Sequence, residues 1–147
     1  MGVGLTLGWI PSGYSGTPLA KKLGIKAGFN IALINAPEYY LDLFTDLPAD
    51  LRINNEIDGW YDLIHLFVKD EATYLHYLPS LKNQIKPNGM VWVSWPKKAS
   101  KIITDITEEI IRNEALQNGL VDVKVCAVDE VWSGLKLVIR VKDRVQL

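Results

Sequence analysis

Residues 61–95 read YDLIHLFVKDEATYLHYLPSLKNQIKPNGMVWVSW. The run from Tyr61 to Val68 is nearly continuous in apolar residues rather than alternating, which marks a strand covered on both faces. Asp70 can cap the helix that follows, from about Glu71 to Ile85, where Leu75, Leu78, Leu81 and Ile85 are spaced for burial. Pro79 has no N–H to donate and should kink or divide this helix. Lys86-Pro87-Asn88-Gly89 has the composition of a turn, and Met90 to Trp95 is a second buried strand. Buried strand, helix and buried strand in this order make a parallel crossover unit.

Working toward the N-terminus, Phe29-Asn30-Ile31-Ala32-Leu33-Ile34 is another strand of the buried kind, ended by Asn35-Ala36-Pro37. Pro37 can open a helix carrying Tyr40, Leu41, Phe44 and Leu47. Leu51 to Ile53 is a short strand and Asn54 to Gly59 a loop. Within residues 1–28, Thr17 can cap and Pro18 open a short helix bearing Leu19 and Leu23, which Gly24 stops.

Toward the C-terminus, Pro96-Lys97-Lys98 closes the second buried strand. Asp105 with Glu108 resembles a capping box for a helix to about Asn118, whose apolar stripe is Ile106, Ile110, Ile111 and Ala115. Gly119-Leu120 suits its stop. Val121 to Val131 and Leu135 to Val141 then form strands around Trp132-Ser133-Gly134, and so short a connection allows antiparallel pairing only. The expected architecture over residues 1–147 is one three-layer α/β domain, its sheet mostly parallel with one antiparallel C-terminal strand.

Composition narrows the function. With 147 residues, 48% hydrophobic and 22% charged, the chain can bury a core without a disulfide or metal staple. Lys and Arg number 16 against 17 Asp and Glu, so there is no bulk basic footprint and no nucleic-acid partner is expected. No run of 18 apolar residues occurs, so no membrane span is expected. Cys126 is the single cysteine, which fits a reducing cytoplasm, and its apolar neighbours Val125 and Ala127 favour a buried structural thiol. His65 and His76 have no ligand-spaced partners, so no metal site is expected, although His65 remains open as a base. Residues 1–10 lack the positive start and cleavage site of a signal peptide, and the glycines at 2, 4 and 8 miss dinucleotide-loop spacing.

Three blocks, GYSGTPLAKKLGI at 13–25, VWVSWPKKAS at 91–100 and GLVDVKVCAVDEVWSGLKLVIR at 119–140, resemble a family of small bacterial proteins of unknown function. That resemblance implies no activity. The second half also resembles Rossmann-like S-adenosylmethionine-dependent methyltransferases in its strand, helix, K-P-x-G turn, strand, helix and closing hairpin. That family places a glycine-rich turn after the first strand, where the backbone must approach the cofactor closely. Leu33-Ile34-Asn35-Ala36-Pro37-Glu38-Tyr39 contains no glycine, and Glu56 and Asp58 fall in a loop rather than ending a strand. On this reading S-adenosylmethionine is not expected to bind, and no cofactor is assigned.

In an open parallel sheet, ligands favour the crevice beyond the carboxyl ends of the strands. That edge collects Asn35, Pro37 and Glu38, then Lys69 and Asp70, then Ser94, Trp95, Lys97 and Lys98. The lysines, with Lys101, can attract a small anion and Trp95 can stack on a planar ligand; the plainer reading is a solvated basic loop. Tyr14, Ser15, Trp132 and Ser133 are candidates for a docking or subunit contact. No catalytic residue is assigned. The leading expectation is a cytoplasmic, non-catalytic Rossmann-like module for a protein partner or small anionic ligand. The alternatives are a divergent methyltransferase-like or other small-molecule enzyme using Asn35, Glu38, Lys97 and Lys98, and a homodimeric structural protein.

Overall fold

The computed structural model describes residues 16–144, with α1 at Leu19–Leu23, β1 at Asn30–Ile34, a 3-10 turn at Tyr40–Leu43 and β2 at Arg52–Asn54. There follow β3 (Tyr61–Phe67), α2 (Glu71–Leu81), β4 (Ile85–Pro96), α3 (Glu108–Gln117), β5 (Leu120–Ala127) and β6 (Trp132–Ile139). The strands form one sheet in the order β2-β1-β3-β4-β6-β5. The pairs β1–β2, β1–β3 and β3–β4 are parallel, while β6 runs antiparallel to both β4 and β5. This is the mostly parallel sheet with one antiparallel strand that the apolar runs predict. From β1 the chain moves to one side for β2 and returns to the other for β3, so the topological switch point lies between β1 and β3.

Two hydrophobic clusters occupy the two faces. On one, α2 and α3 place Tyr74, Leu78, Leu81, Ile111 and Ala115 over Ile64, Leu66, Val91 and Val93. On the other, Leu19 and Leu23 of α1, with Tyr40, cover Leu33, Leu63, Phe67 and Trp92. Strand residues alternate between these clusters, which is why continuous apolar runs were needed.

Several local expectations are corrected. Pro18 holds the N-cap position of α1 and Thr17 lies before it, while Gly24 ends the helix at φ 80°. No α-helix follows Pro37; the segment makes one 3-10 turn, and Asp46 turns back to accept from the Ala20 and Lys21 N–H groups of α1, both at 3.1 Å. Pro79 does not divide α2 into two α-helices: the helix runs to Leu81 and passes into a 3-10 turn at Lys82–Gln84, one turn after the missing donor. Lys86 to Gly89 is not a turn between elements but part of β4, where Tyr61 pairs with Ile85 and Leu63 with Met90, so the extra residues bulge out.

The capping residue of α3 is Thr107, whose hydroxyl accepts from Ile110 N–H at 3.2 Å. Asp105 instead serves a different helix, accepting from Glu71 N–H at the start of α2 at 2.8 Å. The hairpin turn lies before Trp132: Asp129 Oδ1 accepts from the N–H groups of Val131 and Trp132, and β6 begins at Trp132. Among the described residues no helix is long and apolar enough to cross a membrane.

Candidate functional site

Two cavities open at the carboxyl ends of β1, β2 and β3, and Asn35 lines both. The larger, of about 550 Å³, is walled by Ile34, Asn35, Glu56, Ile57, Tyr77 and Gln84, among others. The second, of about 420 Å³, is lined by Asn35, Ala36, Phe67, Lys69, Asp70, Thr73 and Trp132. Together they straddle the switch point between β1 and β3, the position where this topology separates successive loops and leaves a crevice.

Asn35 makes the bend. It has φ 58°, in the left-handed region where asparagine is among the few non-glycine residues that settle readily. Its Nδ2 lies 3.5 Å from the Phe67 carbonyl oxygen, tying the end of β1 to the end of β3. The turn expected to need glycine is therefore formed without one.

Asp70 accepts from Thr73 N–H at 2.7 Å as the N-cap of α2. The Thr73 backbone and side-chain hydrogen bonds hold its carboxyl below the usual range, so at neutral pH it accepts hydrogen bonds and does not take up protons. In the larger cavity, Gln84 Oε1 is buried without a hydrogen-bond partner, while Gln84 Nε2 lies 3.5 Å from the Ile57 carbonyl oxygen. That oxygen has no surface open to the cavity, so it is a local packing cost rather than a ligand contact.

The other candidates from the sequence scatter. Pro37 is half-buried and Glu38 exposed, and neither is in these cavity walls. Ser94 is fully buried and bonded to His65 Nε2 at 2.8 Å, so it faces no ligand space. Trp95 packs in the α2 and α3 cluster. Lys97 and Lys98 lie in the segment after β4, Lys97 half-buried and Lys98 exposed. Trp132 is buried, edge-on to Phe67 with ring centres 5.0 Å apart, and lines the smaller cavity, while Ser133 sits beside it in β6. Tyr14 and Ser15 lie outside the described residues. His65 is fully buried and bonded on both ring nitrogens, which leaves it no route to act as a base on a ligand.

The sequence gives no sign of Gln84 and Tyr77 as cavity walls. The residues of α2 read as a core stripe, and nothing in their spacing signals which lie above the strand ends.

No protein-family model and no curated protein matches the chain. Solved structures do. A ribosomal protein L11 methylase from Lactobacillus delbrueckii subsp. bulgaricus matches with TM-score 0.52 and 15% identity, over 80% of this chain and 72% of that one. A candidate methyltransferase from Thermoplasma acidophilum matches with TM-score 0.52 and 10% identity, over 82% and 72%. These neighbours correct the expectation of a non-catalytic module. That expectation stood on a glycine-free turn, yet the frame is one that solved methyltransferases share, and the left-handed Asn35 forms the bend without glycine. The fold is the Rossmann-like α/β fold of methyltransferases.

Proposed function

We propose that the chain is a divergent methyltransferase-like enzyme that binds an adenosyl-containing methyl donor in the crevice at Asn35. The observation that carries this reading is the pair of adjoining cavities meeting at Asn35, at the switch point of the sheet. The donor set fits a nucleoside. Glu56 offers a carboxylate for ribose hydroxyls, and Ile57 and Tyr77 offer apolar surface for a planar base. In the adjoining cavity, Lys69 suits a carboxylate and Phe67 and Trp132 give an apolar wall that limits water.

When bound, such a donor supplies a methyl group from its sulfonium to an acceptor nucleophile. The chain's own part is to hold the nucleoside against β1 and α2 and to orient the far end with Lys69 and the Asp70 carboxylate. The single cysteine without a disulfide partner suits a cytoplasmic setting for this activity. The bacterial family that the sequence blocks resemble adds no substrate to the proposal.

Isothermal titration with S-adenosylmethionine and S-adenosylhomocysteine tests it. Saturable binding is expected, weakened by roughly tenfold in Glu56→Ala, the loss that charged hydrogen bonds to a ligand carry. No heat from either compound contradicts the proposal.

A further inference from the structure

Val123 is an extra residue in β5. Asp122 pairs with Leu137 and Lys124 with Lys136, so two steps along β5 match one along β6. In a regular strand Lys124 would share the face of Asp122, whose carboxylate accepts from Arg112 Nε of α3 at 3.0 Å. The bulge turns Lys124 to the opposite face.

On that face a basic cluster assembles. Lys124 stands directly across from Lys136, which stands across from Trp92 of β4, and Lys124 Nζ lies 6.0 Å from the Trp92 ring centre. Cys126, two residues on, points the same way. Lys22 of α1 arrives beside it, its Nζ donating to the Ala127 carbonyl oxygen at 2.7 Å. Lys97 enters at the mouth of the same hairpin, its backbone N–H donating to the Val131 carbonyl oxygen at 2.7 Å.

Among the described residues, none of Lys22, Lys97, Lys124 and Lys136 forms an ion pair with a carboxylate. Like charges facing each other across a ladder oppose folding. The groups feel one another: burial, then Lys124 and Lys26, hold the Lys136 ammonium below its ordinary pKa. At Cys126 burial pushes the thiol up while Lys22, Lys124 and Lys97 pull it back. A bound anion would relieve this repulsion.

We propose that Lys22, Lys97, Lys124 and Lys136, grouped around Cys126, form a binding site for a small phosphate-bearing ligand. Lysines are compact charges with rotatable donors, which suit the tetrahedral oxygens of phosphate; a planar carboxylate favours the arginine fork, and this group holds none. The cluster shares no residue with the walls of the Asn35 crevice, so the proposal stands or falls apart from the methyl-donor reading.

Cys126 is the single cysteine, so its alkylation reports on the site. The test measures the rate of Cys126 modification by iodoacetamide, alongside calorimetry, with pyrophosphate as ligand and citrate in a parallel arm. Pyrophosphate should protect the thiol saturably, and the double variant Lys124→Gln/Lys136→Gln should weaken binding by at least about tenfold. Citrate should protect far less. Should the double variant fail to fold, Lys22→Gln is read in its place and should also lose protection. No protection by pyrophosphate, unchanged protection in the folded variant, or equal protection by citrate would each overturn the proposal.

Discussion

His65 Nε2 and Ser94 Oγ lie 2.8 Å apart in the fully buried centre of the sheet, and His65 Nδ1 meets Tyr40 Oη at 2.9 Å. The imidazole also stacks on Phe67, ring centres 4.3 Å apart. The network joins β3, β4 and the turn after β1, just beneath the candidate crevice. Every member has a partner, so it specifies the packing of that turn rather than leaving a buried polar group unpaired.

Burial lowers the His65 pKa from 6.5 to about 3, so the folded protein holds it neutral. The unfolded chain takes up the proton more readily. The contribution of His65 to stability is therefore full above 6.5 and is lost as pH falls from 6.5 toward 3. Stability falls most steeply in that window. His65→Gln should cost about 1–3 kcal/mol at neutral pH and flatten the acid slope in urea melts. Parallel acid slopes for the two proteins would contradict this account.

Thr107 caps α3 while Asp105 accepts from the first N–H of α2, and their removal should be separable. Each alanine variant is expected to cost about 1 kcal/mol. Hydrogen exchange should show Thr107→Ala loosening the first turn of α3 and Asp105→Ala loosening the first turn of α2, which it reaches through Glu71 N–H. Loss of protection confined to α3 in both variants would be the wrong result.

At Asn35 the left-handed backbone sets the tolerance. Asn35→Gly should stay within about 0.5 kcal/mol of the parent, because glycine relieves the residual strain while loosening the unfolded chain. Asn35→Val places a β-branched side chain at φ 58° and should cost about 1–2 kcal/mol. Chemical denaturation reads both, and equal stability of the two variants would deny the bend its special conformation.

Gly134 sits where a Cβ would lie 3.1 Å from Trp92 Cε3 and 3.3 Å from Val128 Cγ2. Gly134→Ala is therefore an overpacking substitution, expected to cost about 1–3 kcal/mol in denaturant melts. A neutral result would mean that Trp92 moves aside freely.

The frame was legible because β1, β3 and β4 are buried on both faces and their sequence says so without alternation. Helix existence was legible too, but cap choice was not. Asp105 and Thr107 both have capping chemistry, and Glu108 three residues after Asp105 imitates a capping box; tertiary contact with Glu71 decided between them. Pro87 and Gly89 have turn composition, yet the chain absorbs them as a bulge against Tyr61 and Leu63.

Less of the site could be read. Asn35 stands out by its place at a strand end, but its left-handed backbone has no sequence pattern. Gln84 became a cavity wall only through the 3-10 turn that ends α2. The facing of Lys124 and Lys136 depends on one extra residue, Val123, and a strict alternation count places Lys124 on the wrong face.

We propose that a nucleoside-bearing donor lies against the bend at Asn35. The most direct measurement is a titration of isotopically labelled protein with S-adenosylhomocysteine, followed by backbone amide shifts. Saturable shifts clustered at Asn35, Glu56, Tyr77 and Gln84, with Lys124 and Lys136 unmoved, are the expected result. Unmoved amides around Asn35, or shifts confined to the lysine face, would contradict it.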